Sequence, residues 1–468
     1  MNRHLHFLMV LAMLLVVACR QTGNENKEVS GTDTVAVKKA FSAGHSKNVV
    51  CMHDTRQTYD LYLPSDYSDN RSFPVIYIFD AHARGHLPVE KYGALAEAFG
   101  YILVASNNSK NGQEPETSNY IYQLLVEETT QLFSINRARI YTMGFSGGAR
   151  VATAVALSNG GVNGVIGCSA GFPKSDQPLT NNFNYIGFAG NEDFNLKEMK
   201  ELDEKLNETA MRHQLIIFNG KHDWSSAQVM KEAFYWITFN AIRAQLQTAS
   251  DSLCRAYLDE QDSAIHVMTK KGDVYGIYLA YEKIVNYLDG IYDVSNYKEK
   301  YFLYQNSDKV RSYESYLNRI ASEETRLQKL YAENMSSRSL AWWTSEFEHL
   351  NESIRKDKKE EEKLFKKRLA SYISLLAYMY STNALKANQL DQANNYLKIY
   401  KLVDPTNAEQ PYLTAVLMMK YSNTALAIAA LKEAVQLGFE DKERMLNEPD
   451  FSTLQSNAEF MAIAGQMN

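Results

Sequence analysis

RARIYTMGFSGGARVATAVALS, residues 137–158, decides how the rest of the chain is read. An apolar, β-prone run from Ile140 to Met143 leads into Gly144-Phe145-Ser146-Gly147-Gly148, and an Ala/Val-rich amphipathic stretch from Ala149 to Leu157 leads out. Strand, G-x-S-x-G and helix in that order put the serine on a sharp turn whose neighbours two positions away must lack side chains. Its hydroxyl then stands clear of the sheet. The N–H of Gly147 points at the same reacting carbonyl, and the start of the helix sets a positive dipole end beneath it. These are the requirements of a serine nucleophile with one half of an oxyanion site.

Outward from this turn, apolar runs of strand length alternate with helical patterns. Two short strands are expected within 48–63, where Tyr59, Leu61 and Leu63 share a face at period two. FPVIYIFD (73–80) is apolar throughout, as a strand buried on both faces should be. A helix at 88–99, a strand at 101–108 and a helix at 118–133 follow. After the serine unit come strands at 162–170 and 184–190, a polar helix at 196–212 and a strand at 213–220. The alternation predicts an α/β fold, a mostly parallel sheet with helices on both faces. In such sheets ligands bind beyond the carboxyl ends of the strands.

A serine nucleophile needs a base, and the base needs an acid to fix its tautomer. Two histidines stand between Ser146 and the helical tail. His213 opens a strand, whereas His222 follows a strand end in GKHDW (220–224), so His222 is assigned as the base. GNEDFN (190–195) directly follows another strand, and Asp193, three past Gly190, is assigned as the acid, with Glu192 as the neighbouring alternative. Asp176, in a Pro-flanked insertion, and Asp223, pointing away from its neighbour His222, fit less well. The second oxyanion donor is expected in FDAHARG (79–85), from the N–H of Ala81 or His82, paired with that of Gly147. The His82 side chain reads as a turn or rim residue. No C-x-x-C or paired-histidine spacing points to a metal, and no cofactor is implied.

Together with LYLPSDYSDNRSFPVIYIFDAHARG (61–85), the stretches GFSGGARVA, GNEDFN and GKHDW resemble an α/β-hydrolase of the broad esterase group over about 45–245. That group includes feruloyl-esterase-like and polyhydroxybutyrate-depolymerase-like enzymes. The resemblance implies a serine carboxylic-ester hydrolase with Ser146 as nucleophile, Asp193 as acid and His222 as base, acting on a small or glycan-linked ester. A serine peptidase on the same fold would use the same three residues. Many relatives have His-Gly where this chain has Asp80-Ala81, which leaves the local oxyanion geometry open. The interval between 162–170 and 184–190 is short for a lid, so an open, shallow site is expected.

The chain of 468 residues has room for more than one domain. Its net charge of −6, with no basic patch, argues against a nucleic-acid partner. Arg3, an apolar run from Phe7 to Val17 and Val16-Val17-Ala18-Cys19 form an export signal whose h-region is too short to span a bilayer. This end resembles a bacterial lipobox, which implies cleavage before Cys19 (signal 1–19), a lipid on Cys19, and anchoring at the periplasmic face or cell surface. A flexible tether would cover 20–44, the hydrolase domain 45–248 and a helical domain 249–468. Cys51, Cys168 and Cys254 remain, an odd number, and Cys168 reads as a small core residue.

The tail carries an internal repeat. Ala393, Leu397 and Tyr400 recur at an offset of 34 as Ala427, Leu431 and Ala434. The pattern resembles two tetratricopeptide repeats, 374–407 and 408–441, with earlier helices completing the stack. Such a domain would offer a surface for a protein or peptide partner. A membrane-anchored binding protein with an inactive hydrolase domain is therefore the alternative from a different class. The charge run RKDKKEEEKLFKKR (355–368) reads as a solvated helix face.

Overall fold

The apolar runs of the N-terminal half become neighbouring strands of one sheet. The structure, a computed structural model, describes residues 41–173 and 183–467. The strands are β1 (Gly44–Val50), β2 (Thr58–Leu63), β3 (Phe73–Asp80), β4 (Ile102–Ser106), β5 (Ile135–Phe145), β6 (Val162–Cys168), β7 (Asn184–Gly190) and β8 (His213–Phe218). They lie in the order β1-β2-β4-β3-β5-β6-β7-β8. β3 to β8 run parallel, whereas β2 is antiparallel to both β1 and β4. The helices between them are α1 (His86–Phe99), α2 (Pro115–Leu132), α3 (Gly147–Ser158), α4 (Leu196–Leu206) and α5 (Ala227–Arg243).

Because side chains alternate along a strand, one run fills two cores. On β3, Ile76 and Ile78 face a core containing Tyr92 of α1 and Phe234 and Trp236 of α5. Val75, Tyr77 and Phe79 face another, containing Leu125 of α2, Val155 of α3 and Met199 of α4. Every residue of β3 and β4 is buried as a result, which is why neither shows polar alternation in the sequence. The loops after β3, β5, β7 and β8 leave at one edge. They carry all the site residues assigned from the sequence except Cys19.

The remainder is helical: α6 (Asp251–Lys271), α7 (Val274–Leu288), α8 (Ser295–Gln305), α9 (Asp308–Asn334), α10 (Leu340–Lys356), α11 (Glu360–Lys386), α12 (Leu390–Val403), α13 (Glu409–Lys420), α14 (Thr424–Gln436), α15 (Lys442–Asn447) and α16 (Ala458–Gly465). α6 and α7 extend the α5 core through aromatic rings, with Tyr257 stacked on Tyr287 at 5.2 Å and edge-on to Tyr235 at 4.9 Å. A separate core begins at Ile320 and runs through Trp343, Leu369, Leu397 and Leu431 to the last helix. The six positions related by the 34-residue offset are all buried, so they form the inward faces of α12 and α14. From Phe41 onward the chain packs as one compact unit.

The charge run at 355–368 is not simply a solvated face. Its last residue, Arg368, is buried and paired with Glu324 of α9, and Lys367 contacts Glu192 beside the β7 strand end. Local patterning sees only a helix with many charges; the Lys367 pairing depends on a loop 175 residues earlier and the Arg368 pairing on a helix 44 residues earlier.

Cys51, Cys168 and Cys254 are free and buried. Cys168 lies in the sheet core, and burial pushes its thiol well up from the ordinary value, as befits an inert core residue. Cys19, the signal and tether segments up to residue 40 and Asp176 lie outside the described residues. Among the described residues no helix is long and apolar enough to cross a membrane.

Candidate active site

Ser146 ends β5 and caps α3 with φ 55° and ψ −121°, a conformation that costs a residue with a side chain about 1–3 kcal/mol. The surrounding contacts hold it there. Its N–H donates to the Cys168 carbonyl at 2.8 Å, and the two outer glycines admit a close backbone approach. A methyl group on Gly144 would fall 2.1 Å from the Gly148 oxygen, and one on Gly148 would fall 2.1 Å from the Phe79 oxygen. As the first residue of α3, Gly147 has an N–H with no acceptor inside the helix. Ser146 and Gly147 are both partly open to solvent.

The hydroxyl of Ser146 lies 2.9 Å from His222 Nε2. The other ring nitrogen, Nδ1, lies 2.9 Å from Asp193 Oδ1. Asp193 is fully buried, and the same oxygen also accepts the Asn195 N–H at 2.8 Å. Asn195 in turn donates to the Ser169 carbonyl at 2.7 Å, which fixes the loop after β7 to the end of β6. The imidazole is held flat between rings, stacked on Phe194 at 4.3 Å and leaning on Phe145 at 5.0 Å. Oriented this way, the ring can accept a proton from the serine at one nitrogen while donating to a buried carboxylate from the other.

The other candidates lie elsewhere. Glu192 pairs with Lys367, and Asp223 accepts the Trp224 N–H. His213 sits at the opposite end of its strand, bonded to the Met211 carbonyl. In the β3 loop, the His82 N–H already donates to Asp80 Oδ1 at 2.8 Å, so one of the two expected oxyanion donors is engaged.

Asp80 and Asn111 hold the turns beside the serine and the histidine through contacts that the sequence does not announce. Asp80 accepts Arg84 Nε at 2.9 Å and Trp224 Nε1 at 2.9 Å, besides the His82 N–H. It therefore ties the turn after β3 to the loop that carries His222. Asn111 donates its N–H to the Ala81 carbonyl at 2.9 Å, and its side-chain amide lies against Gly147. The departure from His-Gly at 80–81 was the signal for Asp80. No local pattern announces Asn111. Burial disfavours the Asp80 carboxylate, but its bonds from Arg84, Trp224 and the His82 N–H outweigh that and lower its pKa. Its contribution to stability is full above the ordinary value of 3.8 and is lost as the pH falls through the lowered folded value. Asp80→Asn should thus lower stability by about 1–3 kcal/mol at neutral pH. Melting curves from pH 7 downward should converge with those of the wild type in acid.

Cys51 and His53, after β1, and Glu128 of α2 bring a sulfur, a nitrogen and an oxygen within 4.8 Å of one another. Such a set could hold a divalent ion. Its members already bond one another, with His53 Nδ1 2.8 Å and Cys51 Sγ 3.4 Å from Glu128 Oε2.

A serine elbow after β5, an acid after β7 and a histidine after β8 accompany a match of residues 42–240 to the phospholipase/carboxylesterase family model. This part of the chain is an α/β-hydrolase. The enzyme is thus a serine hydrolase of the esterase kind, and the helices beyond α5 lie outside the matched segment. Solved structures similar to it include the S-formylglutathione hydrolase FrmB of Staphylococcus aureus, at 14% identity and TM-score 0.35, covering 42% of this chain and 98% of that one. A ferulic acid esterase is 15% identical with TM-score 0.37, covering 43% and 99%. The feruloyl esterase module of Clostridium thermocellum, complexed with sinapinate, is 14% identical with TM-score 0.34, covering 41% and 87%. No curated protein sequence matches the chain.

Proposed function

We propose that this α/β-hydrolase cleaves a small or glycan-linked carboxylic ester by acyl transfer through Ser146, His222 and Asp193. The reading is carried by the unbroken relay from the serine hydroxyl through both imidazole nitrogens to a buried carboxylate, each link 2.9 Å. Ser146 Oγ attacks the ester carbonyl while His222 Nε2 takes the hydroxyl proton. The N–H groups of Gly147 and Ala81 stabilise the oxyanion. His222 returns the proton to the departing alcohol, leaving the acyl group on Ser146. Water, deprotonated by the same nitrogen, then releases the acid. Asp193 holds the ring in the tautomer that keeps Nε2 free to accept.

The partial exposure of Ser146 supports an ester borne on a larger molecule. A panel of aryl, acetyl-sugar and short-chain acyl esters, with an amide of the same acyl group beside each, tests this. Turnover of an ester with little or none of its amide is expected. Faster cleavage of the amides would make the enzyme a peptidase, and no turnover with no fluorophosphonate uptake would end the reading.

We also propose that the chain is exported and held at a bacterial membrane by lipid on Cys19, with the folded part on a tether. Arg3, the apolar run to Val17 and the small residues before Cys19 support it. Cells fed a clickable fatty acid should label the wild-type protein and not Cys19→Ser, which should leave the membrane fraction. Equal labelling of both would refute the anchor. The domain limits 45–248 and 249–468 belong to the same proposal, as does a partner-binding role for the helical part through its paired α11–α14 helices.

A further inference from the structure

The acid loop is gripped from outside the hydrolase part. The Asn191 carbonyl, two residues before Asp193, accepts a hydrogen bond from Arg368 Nη1 of α11 at 2.7 Å. The other edge of that guanidinium meets Glu324 of α9 at two points, Nε to Oε1 at 2.8 Å and Nη2 to Oε2 at 2.6 Å. Both side chains are buried, at 7% and 5% exposure. One residue before, Lys367 Nζ reaches Glu192 Oε1 at 2.7 Å. From the hydrolase side the same turn is held by bonds from the Asn191 N–H to Phe218 and from the Glu192 N–H to Gly220. The turn presenting Asp193 is thus pinned between β8 and α11.

We infer that Arg368 is a positioning residue and that α11 braces the acid loop, keeping Asp193 Oδ1 in line with His222 Nδ1. The inference rests on the esterase reading above. Desolvation largely cancels the stability that a buried ion pair gains, so stability alone is a weak reason for one here. A planar fork serves a carboxylate and a backbone carbonyl at fixed angles, which an ammonium does not. Glu324 sets the guanidinium, and the guanidinium sets the loop. Across the site, Glu409 of α13 and Arg444 of α15 lie near enough to His82 for their charges to act on its imidazole. Helices of the tail therefore flank the catalytic edge at the loops after β3 and β7.

The test is the double variant Arg368→Gln/Glu324→Gln, which removes both buried charges together. It is compared with Glu323→Gln/Arg326→Gln, an exposed pair on α9. Steady-state rates on the preferred ester are read beside the low-field proton resonance of His222 Nδ1, assigned by its loss in Asp193→Asn. The double variant should lose about tenfold to a hundredfold in kcat with little change in KM, and its resonance should broaden or move. The exposed pair should leave both at wild-type values. A folded double variant with unchanged kcat and resonance overturns the brace. Should the double variant fail to fold, Arg368→Lys keeps a charge opposite Glu324 but gives up the fork. An unchanged rate and resonance there overturn it equally. If wild-type protein hydrolyses no ester and takes no fluorophosphonate, the esterase reading has failed, and the resonance alone decides the brace.

Discussion

Ser146→Ala is expected to remove ester hydrolysis, lowering kcat by about 10⁴-fold or more while leaving the fold intact. In the proposed reaction the Ser146 hydroxyl is the group that forms the bond to the acyl carbon. Cys168, whose carbonyl accepts the Ser146 N–H, is fully buried, with its thiol protonated by burial. Because a β-carbon is retained at φ 55°, the turn stays as strained as before, and the melting temperature should shift little. Initial rates and a thermal melt on the purified pair check this. A variant retaining a tenth or more of wild-type activity would place the chemistry on another residue.

Asp193→Asn is the second large effect, a loss of about 10³- to 10⁴-fold in kcat with a near-isosteric side chain. The buried carboxylate accepts from His222 Nδ1 and from the Asn195 N–H on one oxygen. An asparagine carbonyl at that oxygen can accept both donors, but the amide group then lies in the buried space of the second oxygen, which has no partner; in the other orientation the amide faces the ring and the Asn195 N–H. An amide turned towards the ring makes Nδ1 an acceptor and puts the proton on Nε2, which faces the serine and then cannot take its proton; an amide turned away keeps the tautomer but loses the negative charge that stabilises the imidazolium. Glu192→Gln, in the same loop, should cost far less, because that side chain faces Lys367 rather than the imidazole. Parallel measurement of the two variants separates the acid from its neighbour.

The sheet was legible because its strands are written as uninterrupted apolar runs, as in β3 and β4. The elbow was legible because the close approaches at Gly144 and Gly148 leave no room for a side chain. His222 and Asp193 could be chosen because each follows directly on a strand end, and the structure brings both within 2.9 Å of their partners. What stayed hidden depends on contacts distant in sequence. Asp80 looked like a departure from a motif until Trp224, 144 residues on, was seen to bond it. Phe194 is an ordinary loop residue until it stacks on His222. The charge run at 355–368 matched a solvated helix because periodicity records spacing along one helix and not which loop lies against it. Arg368 and Lys367 take their meaning from Asn191 and Glu192.

The central claim is that Ser146 is a nucleophile activated by His222. Labelling the purified protein with a fluorophosphonate and mapping the modified peptide tests it most directly. The account predicts one adduct, on Ser146, which disappears in His222→Ala. No adduct under conditions that label other serine hydrolases, or an adduct on a different residue, would contradict it.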